Sequence, residues 1–159
     1  MTTPKLHLVP VQATYAASIG NDIIRAELDG GSGRYRRDII GATATVSVRW
    51  QCNGLAFQYL QAFYRTTINN GADPFFIDLI LDGPEIREYK AHFLPGSLMI
   101  ASTQGFQYII TANLEAEPLP VDEEYDNALV AAFEAFGRDA VNAGEELDEF
   151  TNEHLPEHL

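Results

Sequence analysis

Between residues 42 and 50 apolar and polar side chains alternate, with Ala44, Val46, Val48 and Trp50 on one face and Thr43, Thr45, Ser47 and Arg49 on the other. That period of two predicts a half-buried strand, with β-branched residues where a pleated surface packs best. A longer alternation runs from Phe106 to Glu117, where Phe106, Tyr108, Ile110, Ala112, Leu114 and Ala116 share a face. It predicts a strand that pairs with Ser97 to Ser102 around a turn at Thr103-Gln104-Gly105. Pro74 to Leu81 and Ile86 to Phe93, joined by Asp82-Gly83-Pro84-Glu85, predict another hairpin. Ile23 to Leu28 predicts an earlier strand, stopped by Asp29-Gly30-Gly31-Ser32-Gly33, and Arg34-Tyr35-Arg36-Arg37 leads into the next.

Two segments carry the helical period instead. Asn53 is placed to cap a helix in which Leu55, Tyr59, Ala62 or Phe63, and Thr66 recur at helical spacing through Ile68. Asn69-Asn70-Gly71 then supplies a left-handed stop. Pro118 and Pro120 end the strand-rich region, and Asp122 is placed to cap a helix over Glu123 to Phe136, with Gly137 as its stop. Tyr125, Leu129, Ala132, Phe133 and Phe136 form one apolar stripe on it. A further acidic segment, Glu145 to Leu155, is too short and too polar to hold a helix without packing. The first 22 residues alternate poorly and contain Pro4, Pro10 and Gly20, which predicts an extended arm with one short strand around Leu6 to Val9.

The expected organisation is therefore an N-terminal arm over 1–22, a β domain over 23–118 and an acidic helical extension over 119–159. The expected fold class is mainly β (α+β), an antiparallel β-sandwich or barrel with one flanking helix, plus the C-terminal extension. At 159 residues one core of ordinary size is affordable and two are not. Apolar residues at 46% and charged residues at 21% exclude a disordered or collagen-like chain. No run of about 18 apolar residues predicts a membrane span, and MTTPKLHLVP lacks the pattern of a secretory signal, so synthesis in the cytosol is expected.

Charge changes the picture once it is divided. Met1 to Asn113 holds nine acidic and nine basic residues, whereas Leu114 to Leu159 holds fourteen acidic residues and Arg138 alone. The net charge of -13 thus resides in the C-terminal segment. A neutral body with an acidic appendage argues against nucleic-acid binding, which needs clustered Lys and Arg.

Catalytic chemistry is not visible in the sequence. Cys52 is the single cysteine and reads as a small core residue. His92 falls on the polar side of its strand beside Glu88 and Lys90, and reads as a surface residue. His154 and His158 have the i, i+4 spacing of metal ligands, but Pro156 between them breaks the helix that spacing needs. The acids Glu145, Glu146, Asp148 and Glu149 lack the alternating ligands and central glycine of a calcium loop. The glycine-rich loop at 29–33 precedes a strand, whereas a phosphate cradle precedes a helix. Asp78, the one carboxylate inside an apolar run, either faces solvent or pairs with an Arg of the adjacent strand. No catalytic residue, cofactor or metal is expected, and the reading is that of a non-enzyme.

The stretch from Ile23 to Glu117 resembles the minor tail protein M and distal tail protein family of long non-contractile bacteriophage tails. The resemblance rests on an order of motifs: the early strand with Leu28-Asp29-Gly30-Gly31-Ser32-Gly33-Arg34-Tyr35-Arg36 after it, the alternating strand Thr43 to Trp50, and the helix Phe57 to Phe63. Gly71-Ala72-Asp73-Pro74-Phe75-Phe76, a hairpin, and the last long strand ending Leu114-Glu115-Ala116-Glu117 complete it. It implies a virion protein of the tail, assembled in the host cytoplasm as a homo-oligomeric, hexameric ring that joins the tail tube to tip and hub proteins. Membrane insertion and specific nucleic-acid binding are not expected. The acidic extension after Pro120 departs from the pattern.

Two surfaces are expected to make contacts. The stripe Tyr125, Leu129, Phe133 and Phe136 is placed to pack on a neighbouring subunit or a partner protein. Arg34, Arg36 and Arg37, with nearby Arg25, are placed either to meet the acidic segment of the next subunit or to pair within their own chain. Competing readings are a tail terminator or completion protein at the head-proximal end, and a sugar-binding β-sandwich module. The latter would stack sugars on Tyr35, Trp50, Tyr59, Tyr64 and Tyr89.

Overall fold

The computed structural model describes residues 2–12, 15–27, 29–137 and 139. They form an α+β fold that is mostly antiparallel sheet. Its eight strands are β1 (Ala16–Ser18), β2 (Ile23–Ala26), β3 (Arg34–Arg37), β4 (Ala44–Cys52), β5 (Phe75–Leu79), β6 (Arg87–Phe93), β7 (Met99–Gln104) and β8 (Gln107–Ala116). Two helices, α1 (Gly54–Ala62) and α2 (Glu123–Phe136), accompany them. The chain divides into two units, Met1–Leu119 and Pro120–Leu159. Leu119 packs against the core of the first. The acidic segment Glu145 to Leu155, and His154 and His158 with it, lie outside the described residues.

β8 organises the first unit. It pairs with β4 along its whole length, from Ala44↔Ala116 to Cys52↔Tyr108. Its other edge is divided: β6 takes one half through Ala91↔Ala116 and Phe93↔Leu114, and β7 takes the other through Met99↔Thr111 to Gln104↔Gln107. The chain returns to this edge by a turn in which Gly96 has φ +70° and the Ser97 hydroxyl donates to the carbonyls of Leu94 (2.7 Å) and Asn113 (3.0 Å). Six strands thus share one sheet, with β1 on the far side of β4 and β5 on the far side of β6.

The N-terminal segment differs from the expected arm. The Leu6 amide donates to the Phe76 carbonyl and the Phe76 amide to the Pro4 carbonyl, both at 2.8 Å. The Val11 amide donates to the Arg49 carbonyl at 2.7 Å, and β1 pairs with β4. The segment therefore links β5, at one end of the sheet, to β4 near the other. Leu6 is 1% exposed, a full member of the core. Its partners lie far along the chain, so local periodicity carries no trace of the pairing.

The alternation predicted for the strands sets the core. Val46, Val48 and Trp50 of β4, Ile110, Ala112 and Leu114 of β8, Phe75, Ile77 and Leu79 of β5, and Tyr89, Ala91 and Phe93 of β6 are all buried. Phe75 stacks on Phe93 at 4.9 Å, Phe63 meets Phe75 edge-on at 5.8 Å, and Tyr64 meets Phe93 edge-on at 5.4 Å. Fully burying each such side chain contributes about 1.5–3 kcal/mol.

Helix α1 begins where the Asn53 side chain accepts the Ala56 amide at 2.9 Å. Its inward stripe matches the expected one in part: Phe63 is buried and Tyr59 packs on the core, but Leu55 and Thr66 are exposed and Leu60 is buried instead. Phe57 stacks on Tyr108 at 4.7 Å, which turns this face toward the sheet. A π-helical turn, Phe63–Thr67, extends the helix, and Asn69, Asn70 and Gly71 then take positive φ as the stop. Phe106 was expected on the core face of β8. It instead occupies the two-residue turn between Gln104 and Gln107 with Gly105 at φ +60°, and is 90% exposed.

Candidate interaction surface

β2 and β3 form a ribbon separate from the main sheet, with the register Ile23↔Arg37, Ile24↔Arg36, Arg25↔Tyr35 and Ala26↔Arg34. Paired residues share a face, so Ile23, Arg25, Tyr35 and Arg37 lie on one side and Ile24, Ala26, Arg34 and Arg36 on the other. Every one of the eight is exposed. Gly30, at φ +86°, serves the loop as the sequence anticipated. Leu28, at the expected end of the first strand, lies outside the described residues.

Asp22 pins the ribbon's base: its carbonyl accepts the Asp38 amide and its carboxylate accepts the Ala42 amide, both at 2.8 Å. Arg25 pairs with Glu27 at 2.8 Å and lies 5.9 Å from the centre of the Tyr35 ring. Arg36 reaches Asp38 only at 3.9 Å, and Arg34 and Arg37 make no ion pair among the described residues. A shallow concavity is lined by Asp22, Ile23, Tyr35, Arg36 and Arg37. Around the ribbon Ile19, Ile39 and Ile40 are also exposed. The sequence singled out the arginines but not these isoleucines, which lie outside the two strands, nor Ile23 and Ile24, exposed because a two-stranded ribbon has no inside.

In the second unit, the Asp122 carboxylate accepts the Tyr125 amide at 3.1 Å and caps α2. Glu123, Glu124 and Asp126 in the first turn oppose the positive end of the helix dipole, and Gly137 at φ +57° ends the helix. None of its fourteen residues is buried. Tyr125, Leu129, Val130, Phe133 and Phe136 are exposed, and Leu129, Val130, Phe133 and Glu134 line a groove. All seven residues expected to make contacts are therefore placed at the surface, three on the ribbon and four on the helix.

Elsewhere, a cavity of about 180 Å³ is lined by Val9, Pro10, Gln12, Tyr15, Asp78, Leu79, Ile80 and Ile86. The Tyr15 hydroxyl is buried without a side-chain partner among the described residues, and burial pushes its pKa up to about 12. Burial also raises the Cys52 thiol. Among the described residues no charged side chain is buried, and no three of His, Cys, Asp and Glu converge as metal ligands. His7 is exposed, and His92 is half-buried opposite Glu115. Asp78 pairs with Lys5 of the N-terminal segment at 2.9 Å, not with an Arg. Of the five aromatics proposed as sugar platforms, Trp50 and Tyr89 are in the core, Tyr59 and Tyr64 are half-buried, and Tyr35 alone is exposed.

The fold and these surfaces define an α+β protein whose unsatisfied chemistry is apolar and ionic contact area. No family model, curated protein or solved structure matches the chain.

Proposed function

We propose that the chain is a structural subunit of a bacteriophage tail, forming a ring at the tail tip that joins the tail tube to the distal components. The observation that carries this reading is the distribution of uncovered apolar side chains. The β2–β3 ribbon exposes Ile23, Ile24 and Tyr35, and α2 exposes Tyr125, Leu129, Val130, Phe133 and Phe136, while the strands of the main sheet bury their own apolar face. Exposed patches of this kind mark contact surfaces. A body with balanced charge and an acidic extension also suits a ring around a channel for DNA, since its lining does not retain phosphate. The resemblance over Ile23 to Glu117 supplies the tail as the setting.

Native mass spectrometry and electron microscopy of the purified chain test the proposal, alone and co-expressed with the products of neighbouring genes. Closed rings of this chain are expected. A chain that stays monomeric in both preparations overturns the reading.

A further inference from the structure

We infer that α2 of one copy docks on the β2–β3 ribbon of the next copy, a head-to-tail contact that propagates the ring; the inference rests on the ring reading above and names the surfaces that build it. A two-stranded ribbon with both faces in water is marginal alone, and so is a fourteen-residue helix with its apolar stripe uncovered. Each lacks what the other offers. On one face of the ribbon Arg37, without an ion pair among the described residues, stands beside exposed Ile23 and Tyr35; on the other, Arg34, likewise without one, shares the side of exposed Ile24. The helix carries Glu123, Glu124, Asp126 and Glu134 around Leu129, Val130 and Phe133.

The sizes correspond as well. A four-residue strand spans about 13 Å, and the stripe from Leu129 to Phe136 spans about 10 Å. Charge separation along the chain favours a second copy over an unrelated partner, because the basic ribbon belongs to a neutral body and the acidic excess begins at Leu114. Two different patches meeting in one contact make it heterologous, and heterologous contacts close into rings when the rotation between copies allows it.

The test uses two full-length variants. Arg36→Glu/Arg37→Glu breaks the ribbon and keeps the helix; Leu129→Asp/Phe133→Asp breaks the helix stripe and keeps the ribbon. Both alter exposed residues, and circular dichroism with thermal melting checks that each remains folded. Native mass spectrometry and light scattering then follow assembly at low and high salt. Each variant alone is expected to lose self-association by on the order of tenfold or more. Their equimolar mixture is expected to form a dimer that stops at two, because one intact ribbon and one intact helix remain to meet. Association of the unaltered chain should weaken as salt rises.

A ring that persists in both variants overturns this contact and leaves the ring reading standing. Loss of association in both variants, with no dimer on mixing, overturns the head-to-tail contact. An unaltered chain that is monomeric at every concentration, alone and co-expressed, overturns both readings together.

Discussion

Asp78 and Glu88 stand directly opposite each other across the β5–β6 pair, two carboxylates on one face of the sheet. Like charges in that position repel. Lys5 resolves the conflict by reaching Asp78 at 2.9 Å and Glu88 at 2.8 Å from the N-terminal segment. The hydrogen bond to Glu88 is the first cause holding the Lys5 ammonium above its ordinary value of 10.5, with that to Asp78 next. A raised lysine contributes stability that is present below about pH 10.5 and lost as pH rises through the folded-state value. Lys5→Met should therefore lower the melting temperature at neutral pH and low salt, and added salt should narrow the gap as it screens the remaining repulsion. An equal gap at all salt concentrations would show that the pair does not repel.

Leu6 turns the N-terminal segment from an appendage into part of the core. Leu6→Ala should cost about 2–5 kcal/mol in urea unfolding, the range for a buried leucine. His7→Ala, at an exposed neighbour, should change stability by less than about 0.5 kcal/mol. Equal effects at the two positions would contradict the place of Leu6 in the core.

Gly20 lies against Ala42 so closely that a Cβ there would fall 2.6 Å from the Ala42 carbonyl carbon and 2.8 Å from its Cβ. The obstacle is largely backbone and has little room to yield. Gly20→Ala should cost about 1–3 kcal/mol, whereas Gly31→Ala, with nothing within 4 Å, should be near neutral. Thermal melts of the two variants distinguish them.

Tyr15 and Tyr89 should ionise late. Burial pushes Tyr15 up to about 12, and burial, then the hydrogen bond to Asp82, raises Tyr89 above 10. For an acid whose folded-state value is raised, the stability is present below the unfolded value and lost as pH climbs through the folded one. Absorbance titration near 295 nm should show two of the seven tyrosines lagging. Unfolding should begin above about pH 10, the ordinary tyrosine value. Tyr89→Phe should remove one late step at a cost of about 1 kcal/mol, the worth of its contact with Asp82.

Cys52 is 4% exposed and its thiol is raised by burial. Reaction with a thiol reagent at pH 8 should be slow in the native state and rapid in denaturant. Fast native labelling would place the side chain outside the core.

The strands were legible because they carry period-two alternation across a one-sided core, as at Val46, Val48 and Trp50. The caps at Asn53 and Asp122, and the left-handed stop after Ile68, were legible because they are set by a few adjacent residues. What the sequence concealed depends on distant partners. Leu6 meets Phe76, Lys5 meets Asp78 and Glu88, and the side of α1 that turns inward is set by Phe57 against Tyr108. The arginines and the apolar helical stripe could be chosen as contact candidates by composition alone. The exposed isoleucines beside them could not, since an apolar residue in a strand ordinarily points to a core.

The central strand of the main sheet is also the last of the described strands to be made. Thr43, just ahead of β4, and Glu115 of β8, whose side chains hydrogen-bond, are 72 residues apart. Until the ribosome has released β8, β4 and the β5–β6 hairpin have no strand to join them into one sheet. Maturation should therefore wait for nearly the whole sequence of the sheet and proceed on the millisecond-to-second scale common to non-local sheets. During that interval the nascent β4 and the β5–β6 hairpin present bare edges, which is when chaperone capture would matter most for yield.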